Sequence, residues 1–175
     1  MIQIAKLSTK DIPENTYLEP IEFTIDKEVY EEYHKWYFNK YPRRKKLDVL
    51  PTAISLNKFT SLTRMAQNNS KEKHGEFYLW CLNHFNVPKA NYTSCRMIVT
   101  FHWKDRRPRD YDNASIFVKY FNDKATEYGL LYDDNNFVLK ELHFHSDYVK
   151  SDMSSVTVRF EPVYSEKSGI SDNCL

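Results

Sequence analysis

Residues 106–134 read RRPRDYDNASIFVKYFNDKATEYGLLYDD, and they hold two pairs of acidic residues. Asp110 and Asp112 form the first pair, and because they are two residues apart, an extended backbone points both carboxylates to the same face. Asp133 and Asp134 form the second pair, after a predicted helix. Carboxylates placed in this way are poor core residues and good ligands for a cation.

An apolar stripe predicts a helix of about four turns between the two pairs. The stripe recurs at i, i+4, i+8 and i+11 and consists of Phe117, Phe121, Ala125 and Tyr128. Asp112 or Asn113 can cap its N terminus, and Gly129 can end it in the left-handed conformation. The second acidic pair can return to the first only if the strands on either side of this segment are neighbours in the sheet.

The acidic residues suggest a centre for a hard divalent cation. Mg²⁺ prefers carboxylate oxygens and keeps several waters, so a few acids and a substrate phosphate suffice to hold it. Such a centre suits phosphodiester hydrolysis, because the metal activates water and stabilises the leaving oxygen. Lys119, near the middle of the predicted helix, can offset charge on the same phosphate. We expect Asp123, one turn later, to be a structural partner of Lys119 or a capping neighbour rather than a ligand.

The order of these residues resembles the RusA family of Holliday junction resolvases. The resemblance rests on Arg-Asp-x-Asp-Asn at 109–113, a helix with Lys119 and Asp123 four residues apart, Gly129, and the pair at 133–134. The spacing from Lys119 onward agrees with the family pattern. One departure precedes it, because Lys119 lies about three residues further from the Asn than in that pattern, which is nearly one helical turn.

The resemblance implies a Mg²⁺-dependent endodeoxyribonuclease, with Mn²⁺ as a possible substitute. The acids that correspond to the family's metal ligands are Asp110, Asp112 and Asp134. Asp133 then shapes the site or shares a second ion. Lys119 corresponds to the catalytic lysine and Arg109 to a DNA-contacting arginine.

The family also implies a substrate and an assembly. The substrate would be branched DNA, a four-way junction resolved by paired symmetric nicks in recombination and repair, and the enzyme would be a homodimer of bacterial or phage origin. Two other interpretations stay open. The same acids suit another metal-dependent nuclease or phosphatase, and the displaced lysine is compatible with a non-catalytic module that binds DNA junctions or proteins.

A basic loop leads into the first acidic pair. Residues 95–103 alternate apolar and polar side chains, which predicts a strand, and Lys-Asp-Arg-Arg-Pro-Arg follows at 104–109. We expect its arginines to contact the phosphate backbone of DNA: Arg106, Arg107 and Arg109. Alternatively, these cations neutralise the nearby acids. Lys58 is a further DNA-binding candidate, because residues 55–58 loosely resemble an Asn-containing stretch of the family.

The overall pattern predicts an α+β fold, with a mixed β-sheet and helices packed against it. The expected sheet strands are 47–51, 95–103, 137–146 and 155–162, the last two forming a hairpin. A further strand at 21–25 and an aromatic amphipathic helix belong to a predicted N-terminal extension, residues 1–46. The nuclease-like domain is expected at 47–163, followed by a polar tail at 164–175. Other helices are expected at 59–67 and 70–85, with a break around Asn68-Asn69.

Composition limits the remaining possibilities. The chain has 175 residues and a formal net charge of +1, so any nucleic-acid contact must come from a local patch. The sequence contains no apolar run long enough to predict a membrane-spanning helix. Three cysteines without a metal-binding spacing are typical of free thiols in a reducing compartment, so we expect a cytoplasmic protein.

Overall fold

The computed structural model describes residues 13–47, 49–50 and 55–163, except the side chains of Asp112 and Ala114. The elements in chain order are β1 (Ile21–Ile25), α1 (Lys27–Lys40), α2 (Leu56–Thr60), α3 (Arg64–His84), β2 (Cys95–Trp103), a 3₁₀ turn (Tyr111–Ala114), α4 (Ser115–Tyr128), β3 (Leu139–Tyr148) and β4 (Ser155–Pro162). The predicted tail lies outside the described residues.

The four strands form one mixed sheet in the order β1-β4-β2-β3. β4 is antiparallel to both of its neighbours, whereas β2 and β3 are parallel and connected through α4. The predicted α+β class with a mixed sheet is therefore confirmed. The strands that flank α4 are neighbours, which is the condition that the acidic pairs need in order to approach each other.

The position of β4 corrects the predicted hairpin between the last two strands. β4 lies between β1 and β2 and does not pair with β3. Burial explains this order, because three alternate β4 side chains are fully buried (Val156, Val158 and Phe160), as a central position requires. The connection from β3 crosses the end of β2, where Val149 donates a hydrogen bond to the Trp103 carbonyl at 2.9 Å.

The helices cover one face of the sheet and pack through aromatic side chains. The centre of the Tyr33 ring on α1 lies 4.7 Å from that of Phe77 on α3. The centre of the Tyr78 ring on α3 lies 5.4 Å from that of Phe117 on α4. These rings are buried, and rings at such separations add to the stability gained from burial alone. This core holds α4 against the sheet and so fixes both ends of the helix.

The N-terminal segment is part of this core. The strand predicted at 21–25 is confirmed, and its odd positions are buried against the helices. Asp26 caps α1, because its carboxylate accepts a hydrogen bond from the Val29 amide at 3.1 Å. Residues 47, 49 and 50 of the expected strand at 47–51 lie outside any strand, and the rest of that segment is outside the described residues.

The helical region before β2 is divided at a different place from the predicted one. α3 runs without interruption through Asn68-Asn69, and the boundary lies at Thr63, whose hydroxyl accepts a hydrogen bond from the Ala66 amide at 3.4 Å. The helix propensity of asparagine is only modestly lower than that of good helix formers, so two exposed asparagines do not interrupt a helix whose buried side chains, from His74 to Leu82, hold it in the core. Within the described residues, no helix is both long and apolar enough to cross a membrane.

Candidate active site

The first acidic pair lies where the chain leaves the sheet and begins a 3₁₀ turn. Asp110 is exposed, and its carbonyl accepts a hydrogen bond from the Asn113 amide at 3.2 Å. Asp112 lies within the turn, and its side chain is outside the described ones.

α2 packs against this turn and brings a basic residue close to it. The Asn113 side-chain oxygen accepts a hydrogen bond from the Asn57 amide at 3.3 Å. Lys58 is the next residue, and it is exposed. Ser55 caps this short helix by accepting a hydrogen bond from the Lys58 amide at 3.2 Å. The predicted DNA-binding Lys58 therefore lies on an element that contacts the first acidic motif.

At the other end of α4, the chain reverses its direction. Gly129 has a φ of 90°, which L side chains rarely adopt, and this confirms the predicted helix end. The Leu130 amide then donates to the Ala125 carbonyl at 2.8 Å, and the Tyr132 amide donates to the Tyr92 carbonyl at 2.9 Å. Leu131 pairs in parallel with Tyr92, just before β2. The segment that follows therefore runs back alongside α4.

This reversal brings the second acidic pair close to a carboxylate on α4. The pKa of Asp134 is raised, first by partial burial, then by a hydrogen bond with Asp133 and by the negative charges of Asp123 and Asp133. Asp133 is itself held in position, because its carboxylate accepts hydrogen bonds from the Asp134 amide at 2.7 Å and from Asn135 at 2.6 Å. Three carboxylates thus share one region of the surface.

One cation of α3 reaches this acidic region. Lys71 Nζ lies 2.5 Å from Asp123 Oδ2, and the hydrogen bond with Asp123 raises the pKa of Lys71. The charge of Asp134 contributes to the same shift. Asp123 is thus paired with Lys71, and the predicted partnership with Lys119 is not observed among the described ion pairs. No sequence signal connects Lys71 with this region, because the two residues are far apart in the chain.

Lys119 stands on α4 between the two acidic regions. Its side chain is exposed, and it lies one turn before Asp123 on the same side of the helix. None of the hydrogen bonds and ion pairs among the described residues joins Asp110 to Asp133 or Asp134. The structure therefore associates Asp134 with Asp123, and Lys119 lies between Asp110 and Asp123 along the chain.

The basic loop is organised around one carboxylate, Asp105. Arg107 forms two side-chain hydrogen bonds with it, at 3.0 and 2.8 Å, and Arg109 forms a third at 2.9 Å. The hydrogen bonds from Arg107 contribute most to holding the pKa of Asp105 far below its usual range. Arg107 nevertheless remains three-quarters exposed. The loop therefore keeps an excess of positive charge at its surface.

Two arginines of this loop lie over aromatic rings. The Arg109 guanidinium carbon is 4.0 Å from the centre of a Trp103 ring, and that of Arg106 is 4.8 Å from the Tyr148 ring. Arg109 Nη1 also donates to the Arg107 carbonyl at 3.0 Å. Cation–π contacts of this kind fix the orientation of the guanidinium groups while leaving their charge in place.

The donor set suits a hard divalent cation. The predicted ligands and Asp123 offer carboxylate oxygens, and the crowded negative charge around Asp134 is the condition that a bound cation relieves. Among the side chains that the structure describes, no group of three or more His, Cys, Asp or Glu residues is arranged to hold a metal ion. The Asp112 side chain is not among the described ones, so the metal site of Asp110, Asp112 and Asp134 stays a prediction.

Comparisons with known proteins give no family assignment: no protein-family model matches the chain, and no curated protein matches it. The resemblance to RusA-type resolvases therefore rests on the residues between Arg109 and Asp134 and on their spacing.

Proposed function

We propose that this protein is a metal-dependent endodeoxyribonuclease that nicks branched DNA, with a four-way junction as its substrate. The supporting observation is the β2-α4-β3 unit. Its strands are parallel neighbours, an acidic motif stands at each end of α4, and the chain reverses at Gly129 so that Asp134 returns to the side of the helix. A helix that only connects two parallel strands needs neither the two acidic motifs nor the chain reversal at Gly129.

In the proposed site, each residue has a separate task. Asp110, Asp112 and Asp134 would hold Mg²⁺ or Mn²⁺, and Asp133 would orient Asp134 or share a second ion. A bound metal would supply an activated water and stabilise the leaving oxygen. Lys119, exposed between the two acidic regions, would stabilise charge on the scissile phosphate.

The cations around the first acidic motif would hold the DNA. Arg106 and Arg107 are exposed, Arg109 is half-buried beside them, and Lys58 lies on the helix that contacts Asn113. Phosphate contacts of this kind position a nucleic acid without reading its sequence. The proposal therefore assigns binding to the cations and hydrolysis to the acids.

The proposal includes a homodimer in the cytoplasm. A four-way junction must be cut in two opposed strands, and one site for each chain supplies both cuts only in a dimer. Cys81 and Cys95 are buried free thiols, as is usual in a reducing compartment. The raised pKa of Cys95, about 12, results from burial, so this thiol is inert at neutral pH.

Cleavage of a labelled mobile four-way junction tests the proposal directly. The protein is incubated with Mg²⁺ and the junction, and in parallel with a linear duplex, a flap and an RNA of the same length. We expect paired symmetric nicks in the junction alone, and loss of the nicks in Asp112→Asn with junction binding retained. Glu127→Gln is the matched control, because Glu127 is an exposed carboxylate of α4 that pairs with Lys124.

Each other result points to a different function. Cleavage of the linear duplex or of RNA indicates a different metal-dependent nuclease. A junction that is bound but uncut in both Mg²⁺ and Mn²⁺ indicates the non-catalytic binding module. A junction that is neither bound nor cut refutes the proposal.

A further inference from the structure

On the face of the sheet that carries the helices, part of β3 is left uncovered. In the parallel register, Phe144 is the partner of Val99 and Tyr148 is the partner of Trp103, so their side chains point to the helix-bearing face of the sheet. Leu142 lies on the same side. Yet Leu142 is 42% and Tyr148 is 48% exposed, whereas Val99 is fully buried. The apolar face of the sheet therefore continues beyond the helix layer.

Tyr111 lies over part of this face, and it comes from the first acidic motif. Its ring stacks on that of Phe144, with centres 6.0 Å apart, and its hydroxyl lies 2.9 Å from the Ser146 hydroxyl. Despite both contacts, Tyr111 remains 47% exposed. Tyr111 is the residue between Asp110 and Asp112, so the turn that carries these two proposed ligands also carries the exposed ring.

The margin of this face is positively charged. Arg106 lies over the Tyr148 ring, and Arg109 lies over the adjacent Trp103. We call Tyr111, Leu142, Phe144, Tyr148, Arg106 and Arg109 the aromatic–arginine surface. The loop that supplies its arginines, residues 104–109, carries four cations and one acid. An occupant of this surface must therefore offer flat apolar groups together with negative charge.

We propose that the aromatic–arginine surface binds unpaired bases of a DNA strand at the branch point, beside the scissile phosphate. This inference deepens the proposed function and takes its substrate from it. Proteins that bind single strands combine cations that follow the backbone with aromatic rings on which successive bases stack. Here the exposed rings of Tyr111 and Tyr148 stack the bases, and Arg106 and Arg109 contact the phosphates.

Charge argues against a second copy of this chain as the occupant. A two-fold dimer places the same surface on both partners, so the arginine-rich margins of two copies would approach each other. Like charges in such an interface are unfavourable unless each finds a counter-charge. A nucleic-acid strand brings the opposite charge and the stacking groups together.

The test measures binding without cleavage, so it does not depend on the nuclease activity. Fluorescence anisotropy in EDTA follows binding of the full chain to a labelled thymine dodecamer, a blunt duplex and a junction with two unpaired thymines at its branch. We expect Tyr111→Leu and Tyr148→Leu each to bind the dodecamer and the open junction about 5- to 100-fold more weakly, the loss of roughly one stacked base. Binding to the blunt duplex should stay within about twofold.

Tyr111→Phe and Tyr148→Phe are the matched controls. Both keep the ring, and Tyr111→Phe loses only the contact with Ser146, so both should bind like the unaltered protein. A second measurement uses that protein itself: a 2-aminopurine at the branch should be quenched when its base stacks on a tyrosine ring. This measurement keeps the proposal testable if a leucine variant folds poorly.

Three results overturn the inference. In the first, the leucine variants bind the dodecamer as tightly as the unaltered protein. In the second, 2-aminopurine fluorescence rises or stays constant on binding. In the third, Tyr148→Leu turns a dimer into a monomer in sedimentation with no change in single-strand affinity, which makes this face an interface between copies. If nicking fails in Mg²⁺ while stacking persists in EDTA, only the nuclease proposal fails.

Discussion

The two ends of α4 both carry acidic residues, yet their electrostatic environments are opposite. At the N-terminal end, the nearby Asp105 is surrounded by Arg107 and Arg109, and its pKa is lowered. At the C-terminal end, Asp134 is partly buried beside Asp133 and Asp123, and its pKa is raised. Lys71 is paired with Asp123, so it offsets only part of that negative charge.

This difference separates a carboxylate with a structural role from carboxylates available for a cation. Asp105 already has its counter-charges within the protein, and it organises a loop that offers positive charge to a partner. The acids around Asp134 lack enough counter-charge, so a proton or a metal ion lowers their energy. The comparison therefore predicts that the basic loop before α4 binds DNA, and that a bound cation stabilises Asp134, one of the three proposed metal ligands.

The largest effect that tests this comparison is on cleavage. Asp134→Asn should reduce Mg²⁺-dependent nicking of a junction by about 100-fold or more, since losing a ligand exceeds the roughly 10- to 100-fold effect of residues that only support ligands. Single-turnover gels measure the rate. Asp105→Asn should retain most of the activity. Equal losses in the two variants would contradict the difference between the two ends.

The next effect is on stability, at the turn that brings the second pair back. Gly129→Ala should lower the free energy of unfolding by about 1–2 kcal/mol, because its φ of 90° is unfavourable for alanine. Steric crowding contributes little, since the nearest outside atom to an added Cβ is Lys89 Cβ at 3.7 Å. Urea unfolding measures the change, with the exposed Glu127→Ala as control. An unchanged stability would mean that the turn relaxes without cost.

A smaller effect should appear in DNA binding at the N-terminal end. Arg107→Ala should weaken binding of duplex DNA roughly 5-fold at about 0.1 M salt, and the slope of log affinity against log salt should fall by about 0.9, as for one lost phosphate contact. Lys35→Ala removes an exposed cation on α1 and serves as control. If both variants shift the slope equally, the basic loop has no special role.

The smallest effect is the pH dependence of stability at the C-terminal end. A raised folded-state pKa means that Asp134 destabilises the fold as pH rises from its ordinary value of 3.8 through the raised value. Asp134→Asn should therefore be more stable than the unaltered protein at neutral pH, by less than about 1 kcal/mol because the group is largely exposed. Below about pH 4 the difference should disappear.

Mg²⁺ provides the converse measurement for the same carboxylate. Added metal should raise the melting temperature of the unaltered protein at neutral pH and leave that of Asp134→Asn nearly unchanged. A variant that gains the same stability from Mg²⁺ would show that Asp134 is not a ligand.

Local features of the site follow from the sequence. The stripe of Phe117, Phe121 and Ala125 is buried as predicted, and Gly129 ends the helix in the left-handed conformation. The strand 95–103 and the basic loop after it also stand where alternation and charge placed them. Such features depend on residues within a few positions of one another, so a single sequence contains enough information to predict them.

Features that join distant segments could not be predicted. The Lys71–Asp123 pair links two helices, and the stacking of Tyr111 on Phe144 links a turn to an edge strand. The position of β4 was predicted wrongly, because its alternation is compatible with any antiparallel neighbour.

The sequence by itself determined the order of the acids, the helix between them, the glycine that ends it and the α+β class. Only the tertiary structure decided that β4 lies inside the sheet, that Lys71 pairs with Asp123, and that part of β3 stays uncovered beside Tyr111. The physical reason is that helix periodicity and capping are local. Strand order instead depends on which pairing buries the most apolar surface across the whole chain.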